Sequence, residues 1–151
     1  MKNLSVKLED SKFKIYDEDD LFGEIIFDKN STAASLLLKD KKLRTEKDSD
    51  NNMVLKDDQN DLFTFKFDYI WGGAEIIADK MDTGFDIKGR WFKPGTRLID
   101  QDDNDLIIAV KKGNGLEVSV LDERVSDVMI IATIYFHLYT SASKLLAILY
   151  T

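Results

Sequence analysis

Residues 122–150, DERVSDVMIIATIYFHLYTSASKLLAILY, form the segment that decides the fold. From Val125 to Tyr150 the run contains neither glycine nor proline, and it is long enough for about seven helical turns. A helix over 125–150 is therefore predicted, with Ser126 or Asp122 as its N-cap. The apolar residues cover nearly its whole circumference, so the helix must be buried in protein or in lipid. Its polar residues recur at spacings of three and four and form one narrow stripe, Thr133, His137, Thr140, Ser141 and Lys144.

Two surroundings are able to bury such a helix. About 20 apolar residues span a bilayer, which makes a C-terminal membrane anchor one alternative. Against it, a charged residue well inside a span is costly, and Lys144 follows Thr140 to Ser143 within the run. We favour a central helix wrapped by a closed sheet, because a barrel hides its strand edges and has a lumen that needs filling.

The chain before the helix is predicted to form strands. Apolar residues alternate with polar ones in several runs, and a period of two places each apolar set on one face of a sheet. Turn clusters separate the runs, which indicates hairpins and an antiparallel sheet, sandwich or barrel. The alternating sets are Phe13 and Ile15; Phe63, Phe65 and Phe67; Phe85, Ile87 and Gly89; and Leu116, Val118 and Val120.

Composition excludes much of the chemistry that a sequence can reveal. The 151 residues include no cysteine and one histidine, His137, so thiol nucleophiles, cysteine zinc sites and His–His zinc motifs are excluded. We expect His137 to be a core residue satisfied by a hydroxyl or a carbonyl, and we predict neither an enzyme nor a cofactor. The net charge of -7 argues against nucleic acid as a partner. Without a signal peptide at its N-terminus, the chain is expected to be cytoplasmic.

Residues 39–52, KDKKLRTEKDSDNN, are almost entirely polar, and we interpret them as a long hairpin tip or a loop. Their basic half is the densest positive cluster in the chain, made of Lys39, Lys41, Lys42 and Arg44. Acidic residues lie among and after these bases, which is typical of a solvated loop.

Residues 100–105, DQDDND, have the carboxylate spacing of the start of a calcium loop. An EF-hand also needs glycine at the sixth position and glutamate at the twelfth, where this chain has Asp105 and Lys111. We interpret the segment as an acidic hairpin turn, and weak calcium binding there stays open.

Residues 84–139 resemble the LURP-one-related proteins of the tubby C-terminal-like superfamily, which also includes the phospholipid scramblase domain. The likeness runs from the arginine-bearing strand GFDIKGRWF through the acidic turn and the IIAVKK strand to the apolar helix. Asp103-Asn104-Asp105 stands where the family has a turn glycine. The resemblance implies a mainly β (α+β) fold, a closed antiparallel β-barrel of about twelve strands around a central C-terminal helix. One domain is then expected over 1–151, with strands in 4–121.

The resemblance also implies a function in binding, because tubby domains hold phosphoinositide head groups in a basic surface pocket. A candidate anion or lipid patch would combine Lys88 and Arg90, on one face of a strand, with Arg97, reached across a hairpin tipped by Pro94-Gly95. The four bases of 39–44 would extend it. We favour the simpler explanation that these are ordinary solvent-facing strand charges paired with neighbours such as Asp86.

The predicted function is a non-catalytic binding scaffold whose partner is a protein or a lipid surface. One alternative is a small acidic inhibitor or immunity-type protein that binds a cationic partner, because charge steers such association. The membrane-anchored protein is the other alternative, and membrane contact is possible without being favoured.

Overall fold

The computed structural model describes residues 2–29, 31, 33–68, 73–78, 81–90 and 93–149, without the side chains of 81, 82, 90, 93, 94 and 141–149. These residues form twelve strands and a helix: β1 (Lys2–Glu9), β2 (Lys12–Asp17), β3 (Asp20–Phe27), β4 (Ala34–Leu38), β5 (Lys41–Lys47), β6 (Met53–Asp57), β7 (Asn60–Phe67), β8 (Ala74–Ala78), β9 (Met81–Arg90), β10 (Lys93–Ile99), β11 (Asp105–Lys112), β12 (Gly115–Val120) and α1 (Asp127–Leu149).

The strands form one closed antiparallel barrel. Each strand pairs with the next along the chain, and β12 returns to β1, so every strand has two neighbours. At this seam Leu4 lies opposite Val118 and Val6 lies opposite Leu116. Closure satisfies the backbone groups that an open sheet leaves unpaired at its edges. The predicted closed antiparallel barrel of about twelve strands is confirmed.

The period-two pattern of the strands determines which side chains face the lumen. The inward set is mainly apolar, every strand contributes at least one buried side chain to it, and the intervening residues face outward. Buried inward residues include Leu4, Ile15, Ile25, Leu36, Leu55, Phe65, Ile76, Ile87, Leu98 and Val118. The alternating runs predicted from the sequence therefore lie as expected.

The part of helix α1 from Met129 to Leu138 occupies the lumen. Ile131, Ala132 and Ile134 are fully buried, and Tyr135 is 1% exposed. Aromatic side chains fill the space between helix and wall: the Phe67 ring stacks on Tyr139 with centroids 5.3 Å apart. The prediction that a helix apolar all round forms the core of a barrel is confirmed, because twelve strands surround it.

The helix begins directly after Ser126, one of the two residues predicted to be its N-cap. The Ser126 hydroxyl accepts a hydrogen bond of 3.2 Å from the backbone N–H of Met129, which satisfies one of the free donors of the first turn. Ser126 is thus the N-cap, and α1 spans Asp127–Leu149, against the predicted 125–150. In the described part of the chain, no helix has both the length and the apolar character needed to cross a membrane.

The interpretation of 39–52 as a long hairpin tip or a loop is wrong. Residues 39–40 make a tight turn, β5 follows over Lys41–Lys47, and only 48–52 connect it to β6. In β5 Leu43 and Thr45 face the lumen and are fully buried, between exposed charged neighbours. Thr45 takes an apolar place because its hydroxyl accepts a hydrogen bond of 2.8 Å from the Ala34 N–H. Because Thr45 is polar although it faces inward, the alternation of apolar and polar residues is not visible in the sequence of β5.

A second correction concerns Pro94 and Gly95, which were expected at a hairpin tip. Both lie inside β10, where the register with β9 shifts between Lys93 and Thr96. Proline cannot donate to a sheet ladder and is tolerated at such irregularities. The connection between β9 and β10 therefore lies between Arg90 and Lys93.

The antiparallel order places successive connections at alternate ends of the barrel. Connections 18–19, 39–40, 58–59, 100–104 and 121–126 lie at one end, and α1 begins there. We call it the upper end. Connections 10–11, 28–33, 48–52 and 113–114 lie at the other, the lower end.

Candidate binding surfaces

Two of the predicted basic residues meet on strands β9 and β10. Lys88 and Arg97 are direct cross-strand partners, and Lys88 is exposed. Arg97 is occupied, because its Nη1 lies 3.2 Å from Asp105 Oδ1 and its side chain is only 21% exposed. Arg90 follows on β9, and its side chain lies outside the described residues. The expected neighbourhood of Lys88 and Arg97 is present, with one of the two charges already paired.

The other four predicted bases lie on β5 and in the turn before it. Lys39, Lys41 and Lys42 are exposed. Arg44 donates from both terminal nitrogens to the Asp28 carboxylate, and its Nη1 is also 3.3 Å from Ser35 Oγ. The hydrogen bond to Asp28 raises the pKa of Arg44. Arg44 therefore ties β5 to the connection 28–33 and is not free to hold an anion.

The two basic groups do not converge. Three strands separate β5 from β9 in the barrel, which corresponds to about 19 Å of wall at about 4.8 Å per strand. A wall bent into a barrel turns its outer faces away from each other over that distance. The seven predicted bases therefore make two separate groups, and a single head-group pocket does not form from them.

The acidic segment 100–105 is a hairpin turn in which later residues donate hydrogen bonds to the side-chain carboxylate of the first, Asp100. Asp100 Oδ1 accepts hydrogen bonds of 2.9 Å from the backbone N–H groups of Asp102 and Asn104. Its Oδ2 accepts a further bond of 3.1 Å from Asn104 Nδ2. These bonds, first of all the one from the Asn104 backbone, lower the pKa of Asp100. The turn thus closes without a cation, and no group of three metal-ligating side chains occurs among the described residues.

The same turn occurs at the lower end, in residues 48–52. Asp48 Oδ1 accepts hydrogen bonds of 2.9 Å from the N–H groups of Asp50 and Asn52. The fourth residue has a left-handed backbone in both turns, at Asn51 and at Asp103. The sequence D-x-D-x-N thus encodes one turn geometry twice, which provides matched acidic positions at the two ends.

The lone histidine is partly buried and contacts β10. The Nδ1 atom of His137 lies 2.7 Å from the Thr96 hydroxyl of β10. Burial lowers the pKa of His137, which keeps the ring neutral near pH 7. The expectation of a histidine satisfied by a hydroxyl is confirmed. Of the predicted polar stripe, Ser141 and Lys144 lie outside the described side chains.

Charge is distributed unevenly between the two ends of the barrel. With one flanking residue on each side, the five described upper connections contain fourteen acidic and three basic residues. Four of the lower connections, in 9–12, 27–34, 47–53 and 112–115, contain five acidic and four basic residues; the other two include residues outside the described part of the chain. The excess negative charge of the chain is therefore concentrated around the start of α1.

Two grooves flank the start of α1 at this acidic end. The Lys39 groove is about 490 Å³ and has mixed charge, with Lys2, Lys39 and Lys41 opposite carboxylates that include Asp20 and Asp40. The Val125 groove is about 430 Å³ and mainly apolar, and its lining is Phe63, Phe85, Leu98, Asp100, Leu106, Asp122, Arg124, Val125, Ser126 and Met129.

Several acidic turns lie at the same end of the barrel, which the sequence analysis of each turn by itself did not predict. The signal was available, because in an antiparallel barrel every second connection lies at the same end. The groups DEDD at 17–20, DQDDND at 100–105 and DERVSD at 122–127 are such alternate connections. Recognising them required the complete strand count, which the unrecognised β5 had obscured.

Comparison with known proteins supports the fold. No family model matches the chain, and no curated protein matches it. The structure is similar to the crystal structure of a protein from Arabidopsis thaliana, with a TM-score of 0.64 and 15% sequence identity over 94% of this chain and 91% of that chain. At such low identity the likeness shows the fold alone, a closed twelve-stranded antiparallel barrel with one C-terminal helix.

Proposed function

We propose that this barrel is a non-catalytic binding scaffold that engages a cationic protein partner through its upper end, in the cytoplasm. The observation that carries the proposal is the concentration of fourteen acidic residues against three basic ones around the start of α1. Several of these carboxylates, Asp19, Asp20 and Asp102 among them, are exposed and form no ion pair with a described residue. They are available to an incoming positive charge.

Such a surface acts first on the rate of association. A field of one sign over a protein end steers an oppositely charged partner and raises its association rate by about 10- to 1000-fold at low salt. Charges farther apart than about 10 Å are screened at 0.1 M salt, so the effect is salt-dependent. Two acidic positions keep their charge in mild acid, because hydrogen bonds lower the pKa of Asp100 and, from Arg124, lower that of Asp122 to about 2.

Lipid-surface binding of the LURP-one-related or tubby kind is the second candidate. It is favoured by the exposed lysines at 39, 41 and 42, which have no ion pair with a described residue. It is weakened by the separation of these lysines from Lys88 and by the ion pair of Arg97 with Asp105. An anionic membrane would also meet the acidic turns that flank Lys39, so we place this candidate second.

The matched turns give the test its control. Asp102→Asn at the upper end and Asp50→Asn at the lower end make the same change of charge, at the same position of the same turn. Binding of a short peptide of alternating lysine and serine is measured by titration calorimetry at about 0.05 M and about 0.5 M salt. We expect binding at low salt only, weakened by about threefold in Asp102→Asn and unchanged in Asp50→Asn.

Absence of binding at low salt would contradict the cationic partner, and equal weakening in both variants would contradict the upper end as its site. Flotation with phosphoinositide vesicles tests the second candidate. Flotation that is lost when Lys39, Lys41 and Lys42 are replaced by glutamine would favour the lipid surface instead.

A further inference from the structure

The Val125 groove has a complete apolar interior. Its floor is made of Leu98, Leu106 and Met129, which are at most 5% exposed. Phe63 and Phe85 belong to the walls and remain partly exposed, although both also pack against the core. About 430 Å³ is enough to enclose a large side chain, since pockets that bury whole small molecules begin at about 300 Å³.

Three charged residues also line this groove, Asp100, Asp122 and Arg124. Asp122 holds Arg124 in a two-point ion pair, with Nη2 2.7 Å from Oδ2 and Nε 3.0 Å from Oδ1. The Arg124 side chain is 89% exposed, so the pair is open to exchange with a basic group from outside. The groove is thus mainly apolar and carries carboxylates in its lining.

Two exposed apolar side chains, Leu21 and Leu121, also lie at this end. Three large hydrophobic side chains are exposed among the described residues, Leu8, Leu21 and Leu121. Leu121 directly precedes Asp122, and Leu21 lines the Lys39 groove on the other side of α1. Apolar surface among acidic residues fits a protein interface better than a small-ion site, because interfaces combine a buried apolar anchor with a polar rim.

We infer that the Val125 groove receives an apolar side chain, most favourably an aromatic one, from a basic segment of the partner protein, whose lysines or arginines then meet Asp100 and Asp122. The inference rests on the proposed function and adds a point of attachment to it. Charge complementarity selects this occupant. An anionic lipid head group would meet two carboxylates against the one guanidinium of Arg124, and a purely basic peptide would leave the apolar walls in water.

The experiment compares the affinities of two peptide probes for the full chain. One is the lysine–serine peptide used above, and the other carries a single tryptophan in place of its central serine. We expect the tryptophan peptide to bind about tenfold more tightly, which corresponds to about 1.4 kcal/mol. In Val125→Gln, which makes one wall polar without adding charge, the advantage should fall to about twofold. Leu8→Gln removes an exposed apolar side chain at the lower end and should keep the tenfold advantage.

A measurement on the unsubstituted chain keeps the inference testable if Val125→Gln fails to fold. Backbone amide shifts in ¹H–¹⁵N spectra are recorded as the tryptophan peptide is added, and the largest changes are expected at 98–100 and 122–129. Equal affinity of the two peptides, or shifts confined to other regions, would overturn the groove and leave the proposed function standing. Failure of both peptides to bind at low salt would overturn the proposed function itself.

Discussion

At the scale of single residues, the polar groups inside the barrel show which features of the core the sequence predicts and which it does not. Thr45, Thr96 and Thr133 are buried, and each has a hydrogen-bond partner that removes the cost of burying its hydroxyl. The sequence predicted such a partner for His137 because the residue lies on the polar stripe of the helix. It did not predict one for Thr45, whose partner Ala34 lies eleven residues away on another strand.

The neutral, partly buried state of His137 predicts a pH dependence of stability. Its pKa is lowered by burial in the folded chain and returns to about 6.5 on unfolding. Between these two values the unfolded chain binds more protons, so the free energy of unfolding decreases as pH falls through about 6.5. Above that pH the contribution of His137 is constant. We expect His137→Gln to lose the slope, measured by urea denaturation between about pH 7.5 and pH 5.5.

This window isolates the residue, because the chain has no second histidine. The carboxylate of Asp122 titrates far lower, with its pKa held at about 2 by the Arg124 hydrogen bond. An identical slope in the wild type and in His137→Gln would contradict the partly buried, neutral ring.

At the scale of elements, how far each segment could be predicted depended on how apolar its inward side is. The helix was recognised to within two residues at each end because nothing in 125–150 breaks it, and strands such as β7 present three inward phenylalanines. Strand β5 was missed because Leu43 is its single apolar residue. Pairing with β4 and β6 makes it a strand, and a single sequence does not display such pairing.

The packing of α1 against the wall depends on a glycine of β3. A Cβ built on Gly23 would lie 2.6 Å from the Leu37 carbonyl oxygen of β4 and 3.2 Å from Ile131 Cδ1 of the helix. The backbones of β3 and β4 must move apart to admit it, and the Ile131 side chain must give way as well. We expect Gly23→Ala to lower the free energy of unfolding by about 1–3 kcal/mol, measured by chemical denaturation.

Gly89 of β9 is the matched control for this substitution. A Cβ built there meets nothing within 4 Å, so Gly89→Ala is expected to change the stability by less than about 0.5 kcal/mol. If the two alanine variants were equally stable, the close approach of helix and wall at Gly23 would not limit the packing.

At the scale of the whole molecule, a closed barrel protects its terminal strands. In an open sheet the first and last strands have one neighbour each and fray, whereas here β1 lies between β2 and β12. Closure was predictable because a helix apolar on all sides needs a wall on all sides. The segregation of charge between the two ends was not predictable from the sequence, because it depends on the exact number of strands between one acidic turn and the next.

Closure predicts that amide hydrogens of β1 and β12 exchange as slowly as those of β6 and β7, on the far side of the barrel. The seam depends on Gly115, since a Cβ there would lie 2.1 Å from the Val6 carbonyl oxygen. In Gly115→Ala we expect β1 and β12 to exchange at least about tenfold faster than β6 and β7, in native-state exchange followed by NMR. Gly113→Asn is the control, because its left-handed backbone suits asparagine and a Cβ there meets nothing within 4 Å. Fast exchange of β1 in the unsubstituted chain would mean that the seam, although closed, adds little to stability, because the terminal strands would then open independently of the rest of the wall.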